Sequence, residues 1–236
     1  MIRLALPLAL SLLAAAAPAT AAERNYSVTS FDRVRVEGPF EVKLATGAAP
    51  GASASADLPT LDLLTLRVEG TTLIVRLGSN GWAERPKSAA TILPVVTLRT
   101  PGLRSVLVNA GGRLTVTGMK GQRIDLAING SGVIAAAGVA ADQINATVIG
   151  TGSITLAGRA ARAQLLTNGA GAIDATALAV GDLTVRLDGT GETKAAARYT
   201  ANITTTGLGR VTVAGDPACT VKALAGGPVI CGTGTH

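Results

Sequence analysis

Ile124-Asp125-Leu126-Ala127-Ile128-Asn129-Gly130-Ser131-Gly132 is followed twenty residues on by Ile144-Asn145-Ala146-Thr147-Val148-Ile149-Gly150-Thr151-Gly152. Each copy is an alternating apolar run that ends in a Gly-x-Gly corner. Alternating apolar residues follow, then usually another Gly. Further copies run through the C-terminal half. Leu165-Leu166-Thr167-Asn168 precedes Gly169-Ala170-Gly171, and Leu183-Thr184-Val185-Arg186-Leu187-Asp188 precedes Gly189-Thr190-Gly191. Ile203-Thr204-Thr205-Thr206 precedes Gly207-Leu208-Gly209. Weaker copies flank these at Ala110-Gly111-Gly112 and Ala225-Gly226-Gly227. The second glycines fall at 112, 132, 152, 171, 191, 209 and 227, so successive steps are 20, 20, 19, 20, 18 and 18.

A repeat of this length with strand-like alternation predicts stacked coils, each burying its apolar face against the next. Side chains of a strand alternate in direction, so the inward sets follow from the sequence. Before the corner they are Ile124/Leu126/Ile128, Ile144/Ala146/Val148, Ala163/Leu165/Thr167, Leu183/Val185/Leu187 and Ala201/Ile203/Thr205. After it they are Leu114/Val116, Ile134/Ala136, Ile154/Leu156, Ile173/Ala175, Thr193/Ala195 and Val211/Val213. So many Ala and Thr demand a narrow interior, in keeping with only 2% aromatic residues. Asn109, Asn129, Asn168 and Asp188 precede the corners and suit such turns. Ile149 and Thr206 interrupt that column.

Composition removes other classes. The 29 glycines follow no Gly-X-Y period, which excludes collagen. A hydrophobic fraction of 47% excludes general disorder. Two Cys and one His, the terminal His236, cannot build a multi-Cys/His zinc site. No corner extends to Gly-x-Gly-x-x-Gly or to a phosphate loop. The expectation is therefore no catalytic, cofactor-binding or metal-ligating residues, and no enzyme activity. Asp174, Glu192, Lys194 and Arg210 face outward on neighbouring coils and read as a solvated charged wall. Thr115, Thr155 and Thr212 also face outward without a regular Thr-x-Thr array.

Residues 1–22 read as a secretory signal: Arg3, an apolar run from Leu4 to Ala17, then Ala19-Thr20-Ala21 for cleavage. That run is too short to span a bilayer, and no later stretch is long enough. Its removal takes away one basic residue and leaves 20 Lys+Arg against 15 Asp+Glu, a net +5. Scattered positive charge of this kind reads first as an ordinary solvated surface; a basic surface can also attract anionic glycans, lipopolysaccharide or nucleic acid, and export argues against nucleic acid as the main partner.

Residues 23–104 are expected to form an N-terminal β region that caps the solenoid, and residues 105–236 the regular repeat; a separate small β-sandwich is the alternative for the first part. Leu63 to Glu69 and Leu73 to Leu77 predict a hairpin about Gly70-Thr71. The polar loop 78–88 holds Trp82. No helix is expected. Cys219 and Cys231, the only two cysteines, fall on the inward columns of Ala201 and Val213 in the repeat register. Export predicts a disulfide between them that closes the last coil, with two buried free thiols as the alternative.

The opening Ser30-Phe31-Asp32-Arg33-Val34-Arg35-Val36-Glu37-Gly38-Pro39-Phe40-Glu41-Val42-Lys43-Leu44 resembles the start of a bacterial exported family, the head GIN domain or autotransporter adhesin family. The Gly-Ser/Thr-Gly corners at 130–132 and 150–152 match its repeated pattern. Cys219-Thr220-Val221 and Val229-Ile230-Cys231-Gly232 are similar to the ending of its proteobacterial members. The resemblance covers roughly residues 28–233. It implies a right-handed parallel β-helix exported to the periplasm or cell surface of a Gram-negative bacterium, with no residue-level site. The function expected is a non-catalytic adhesin-like or scaffold protein, presenting its surface to an anionic glycan or an envelope protein. The alternative is a carbohydrate-active β-helix enzyme of the polysaccharide lyase or hydrolase kind.

Overall fold

The computed structural model describes residues 21–78 and 93–232, and the backbone of 234–235. Its elements are β1 (Ala22–Tyr26), β2 (Arg33–Glu37), β3 (Glu41–Thr46), β4 (Gly51–Ala56), α1 (Leu58–Leu63), β5 (Leu64–Glu69), β6 (Thr72–Leu77), β7 (Val95–Thr100), β8 (Ser105–Ala110) and β9 (Arg113–Thr117). They continue with β10 (Lys120–Gly130), β11 (Val133–Gly150), β12 (Ser153–Gly169), β13 (Ala172–Gly189), β14 (Glu192–Thr205), β15 (Arg210–Gly215), β16 (Ala218–Ala223), β17 (Val229–Cys231) and β18 (Gly234–Thr235).

From β8 to β17 the chain is a β-solenoid whose coils pair in parallel and in sequence order, and β18 pairs antiparallel with β17. The strand before the corner stacks β8, β10, β11, β12, β13, β14 and β16, with Val106, Leu126, Ala146, Leu165, Val185, Ile203 and Val221 on one line. The strand after the corner stacks β9, β11, β12, β13, β14, β15 and β17, with Leu114, Ile134, Ile154, Ile173, Thr193, Val211 and Val229 on one line. Every side chain of the inward sets given above is buried. Each fully buried Ile, Leu or Val adds about 1.5–3 kcal/mol relative to exposure. Of the three inward threonines, all fully buried, Thr167 and Thr193 join their hydroxyls at 3.1 Å and Thr205 donates to the Gly207 carbonyl at 3.2 Å, so none is left without a partner.

The two corner glycines meet different demands, as Gly150 and Gly152 illustrate. Gly150 has φ +115°, a region that L side chains rarely adopt. Gly152 has an ordinary φ, yet a Cβ there would lie 2.6 Å from the Gly132 carbonyl oxygen of the coil below. The outer polar column is interrupted at Ile149, as expected, but not at Thr206: Asn129 donates to Asn109 Oδ1 at 3.2 Å, and the Thr206 hydroxyl continues the column by donating to Asp188 Oδ1 at 2.7 Å.

The strands of residues 22–77 and 95–100 join the same sheet out of sequence order. β2 lies between β6 and β8, and β3 between β7 and β9, all parallel. Beyond them β4 pairs antiparallel with β7, β5 with β6, and β1 with β4. The expected hairpin is β5–β6, with Glu69 opposite Thr72. The expectation of no helix is corrected: α1 is a six-residue helix with Pro59 in its first turn. A proline there has no intrahelical bond to lose. The loop with Trp82 and the terminal His236 lie outside the described residues, as do residues 1–20 of the expected signal.

At the other end Cys219 and Cys231 are bonded, with Cα atoms 6.3 Å apart. The registers Ala201–Cys219 and Val213–Cys231 are those read from the repeat.

Candidate binding groove

Each coil has a third side, between its after-corner strand and the next before-corner strand. Coil lengths differ by one or two residues, yet the two corner strands keep register throughout. The difference is absorbed on the third side. Pairing shifts between Ala136 and Val139, between Thr155 and Ala157, and twice between Ala175 and Asp182. Such bulges bend a strand and re-aim its side chains. Asp174 anchors one of them: its Oδ1 accepts the Thr176 hydroxyl at 2.6 Å and the Thr176 backbone N–H at 3.0 Å. These two donated bonds hold the Asp174 carboxyl below its ordinary pKa against the opposing effect of burial, with Lys194 adding a smaller effect in the same direction.

Bulged, short side chains leave a concave surface. Gly121, Ala140, Ala141, Asp142, Arg159, Ala160 and Ala161 line a groove of about 420 Å³. It shares Ala160 and Ala161 with a second groove of about 410 Å³ that runs on to Val180, Ala197 and Tyr199. The floor is one line of rungs, Gly121, Ala141, Ala160, Val180 and Ala197. Ala160, Val180 and Ala197 are buried in it. The rim carries Arg159, Arg198 and Asp142.

Tyr199 is the one exposed aromatic side chain among the described residues, 57% accessible. The Arg198 guanidinium sits 5.1 Å from its ring centroid, a cation–π contact that fixes the ring. Gly181 lies beneath: a Cβ there would be 3.4 Å from Tyr199 Cδ2 and 2.7 Å from the Ala161 carbonyl oxygen. An anchored ring beside a shallow Ala floor can stack on a flat ligand and hydrogen-bond it from the rim.

The residues singled out in the sequence lie elsewhere. Asp174 neighbours Lys194 along the ladder, Glu192 neighbours Arg210, and Lys194 pairs with Glu192 at 3.0 Å. These charges belong to the after-corner wall and answer one another. Thr115, Thr155 and Thr212 share a column there with Ala135, Asp174 and Lys194 between them. Among the described residues no three His, Cys, Asp or Glu side chains gather as a metal cluster, and no helix is long and apolar enough to cross a membrane. The groove residues went unread in the sequence. Their available signal was the third glycine of the repeat, Gly118, Gly138 and Gly158, at steps of 20, each with positive φ.

Residues 30–217 match the model of a protein family described as "Putative auto-transporter adhesin, head GIN domain". The chain belongs to that family. The comparison with curated proteins gives no match. Among solved structures, one from Bacteroides fragilis described as a "putative adhesin" superposes with TM-score 0.79 at 17% identity, covering 90% of this chain and 96% of that one. A "putative lipid binding protein" from Parabacteroides distasonis has TM-score 0.70 at 19% identity, with the same coverage. A "putative adhesin" from Parabacteroides merdae has TM-score 0.66 at 16% identity, again covering 90% and 96%. At these identities the likeness is one of fold.

Proposed function

We propose that the protein is a non-enzymatic, adhesin-like component of the cell envelope that holds a glycan chain in the third-side groove. The observation that carries this reading is the pairing of Tyr199, the one exposed aromatic ring among the described residues, with a continuous floor of small residues. A sugar presents a flat C–H face to an aromatic ring and hydroxyls around its edge. Tyr199 offers the ring, and Arg159, Arg198 and Asp142 offer donors and an acceptor along the rim. The groove lining holds one carboxylate, Asp142, whereas glycoside hydrolysis ordinarily uses two. The cystine and the adhesin family support export to an oxidising compartment. In this reading residues 23–104 cap the solenoid and residues 105–236 present the groove, closed at the far end by the disulfide.

A glycan array with the mature protein tests the proposal. Tyr199→Ala should lose most of the signal and Tyr199→Phe should keep it, because the ring rather than the hydroxyl makes the contact. Equal signal from Tyr199→Ala removes the groove from the reading. Release of reducing ends or unsaturated products from any bound polysaccharide removes the non-enzymatic part.

A further inference from the structure

We propose that Arg33, Arg104 and Arg123 form a site for one oxyanion group, the sulfate or phosphate ester of an acidic saccharide. The three arginines come from successive levels of the stack and line a recess of about 240 Å³ with Ser105 and Asp125. Strands β2, β8 and β10 lie side by side, and Arg33, Ser105 and Asp125 share one rung line. Arg104 directly precedes Ser105. Arg123 stands two residues before Asp125, so its side chain rises on the same face of β10.

The pairing inside the recess is incomplete. Arg104 donates to Asp32. Arg123 Nε donates to Asp125 at 3.1 Å, and that same carboxylate also accepts the Asn145 amide at 2.6 Å. Arg33 is different: its nearest carboxylate oxygen, Asp32 Oδ1, is 3.9 Å from Nε, too far for a hydrogen bond. That oxygen is buried with no hydrogen-bond partner among the described residues, so it holds Arg33 by charge and leaves its N–H groups open. Three guanidiniums against two carboxylates leave one positive charge. Each guanidinium has five donors in a fixed fork, the geometry that suits an oxyanion. Among the described residues Arg104 and Arg123 each donate a hydrogen bond to a carboxylate, whereas Arg33 meets Asp32 by charge alone. All three side chains are about three-fifths exposed and open to a ligand.

A saccharide is the carrier because Arg123 lies two residues along β10 from Gly121, which lines the groove. That is about 7 Å of strand, so a chain in the groove reaches the recess. The carrier, though not the anion, rests on the reading of the groove.

The test is calorimetric titration at low salt with a sulfated oligosaccharide, its desulfated counterpart and sodium sulfate. The proteins are the wild type, Arg33→Gln/Arg123→Gln, Tyr199→Ala and the distant control Arg186→Gln. The double variant should bind the sulfated ligand about tenfold or more weaker, having lost two charge-assisted contacts, with an unchanged melting temperature and unchanged binding of the desulfated one. Arg186→Gln should change neither by more than about twofold, as one screened surface charge. An equal loss in Arg186→Gln, or full binding by the double variant, overturns the site. Sodium sulfate binding as tightly as the oligosaccharide overturns the saccharide carrier. Unchanged binding of both sugars by Tyr199→Ala overturns the groove while leaving the arginine site standing.

Discussion

Residues 105–223 on one side, and residues 22–77 with 95–100 on the other, build one sheet by two different rules. In the first region the neighbour in the stack is also the neighbour in sequence, and each coil repeats the pairing of the last. In the second, β2 and β3 are enclosed by strands that come thirty or more residues later, and antiparallel β4 and β5 close the end. The cores differ as well. The regular coils are filled with aliphatic side chains and threonine, whereas Phe31 and Phe40 are buried where the order changes. A repeat encodes its register only while successive coils touch. The end of a stack exposes a strand edge that another coil would extend, and antiparallel strands that cannot continue the parallel ladder manage that edge.

The sharpest way to break the comparison is at its glycines. Gly150 and Gly70 both have positive φ, +115° and +61°. A Cβ at Gly150 would meet the Gly130 carbonyl oxygen at 2.6 Å, and one at Gly70 meets nothing within 4 Å. Gly150→Ala should therefore cost about 3 kcal/mol or more, since both the backbone region and the neighbouring coil resist it. Gly70→Ala, in the hairpin turn, should cost only about 1 kcal/mol. Urea melts of the two variants check this; equal midpoints would mean that stacking contact contributes nothing at the corner.

The two ends of the stack give the next contrast. The N-terminal end is closed by backbone pairing. At the C-terminal end β16 pairs on one side only, and its inward Cys219 and Val221 stay half-buried. There the antiparallel strand β18 covers β17 alone, and the disulfide fastens β16. Closing its loop of about a dozen residues contributes about 2–4 kcal/mol on the chain-entropy account. Cys219→Ser/Cys231→Ser should lose that amount. In a stack with nearest-neighbour stability the loss should fall on the last coils. Hydrogen exchange should rise in β16 and β17 and hold steady in β2, β8 and β10. A uniform rise along the chain would show that the whole stack melts as one unit.

The same contrast explains what could be read beforehand. Leu126, Ala146, Leu165 and Val185 alternate with exposed residues at a steady step, so their burial and the Cys219–Cys231 register follow from counting. The position of β2 between β6 and β8 could not follow from counting, because no periodic signal links Val34 to Leu73 and Val106. The helix α1 is too short for a helical period to appear. The groove escaped for a related reason. Its floor is Ala and Gly, whose small side chains carry little signal of direction, and its bulges break the alternation that located the other two sides.

Asp32 joins the two regions and offers the smallest and most local test. Its backbone carbonyl accepts the Arg104 and Ser105 amides, at 2.8 and 3.3 Å, and its side chain accepts Arg104. Burial opposes its ionisation, but the bonds from Arg104 and Thr71 outweigh that and hold the carboxyl below its ordinary value of 3.8. The folded state thus binds the proton less readily than the unfolded chain. The stability this adds is fully present above about pH 4, and is lost as pH falls through the lowered folded value. Asp32→Asn keeps the backbone bonds and removes the charge. At pH 6 it should lower the melting temperature by about 1–3 °C, the scale of one partly exposed ion pair. Below the folded value the two proteins should melt together. Asp174→Asn serves as the internal comparison: its carboxyl is lowered chiefly by Thr176 within one bulge, so it has the same sign of pH dependence without bridging the regions. Hydrogen exchange separates them, since Asp32→Asn should loosen β2 and β8 together, and Asp174→Asn only the bulge of β13. A gap between wild type and Asp32→Asn that widens on acidification would reverse the sign and place the carboxyl above its ordinary value.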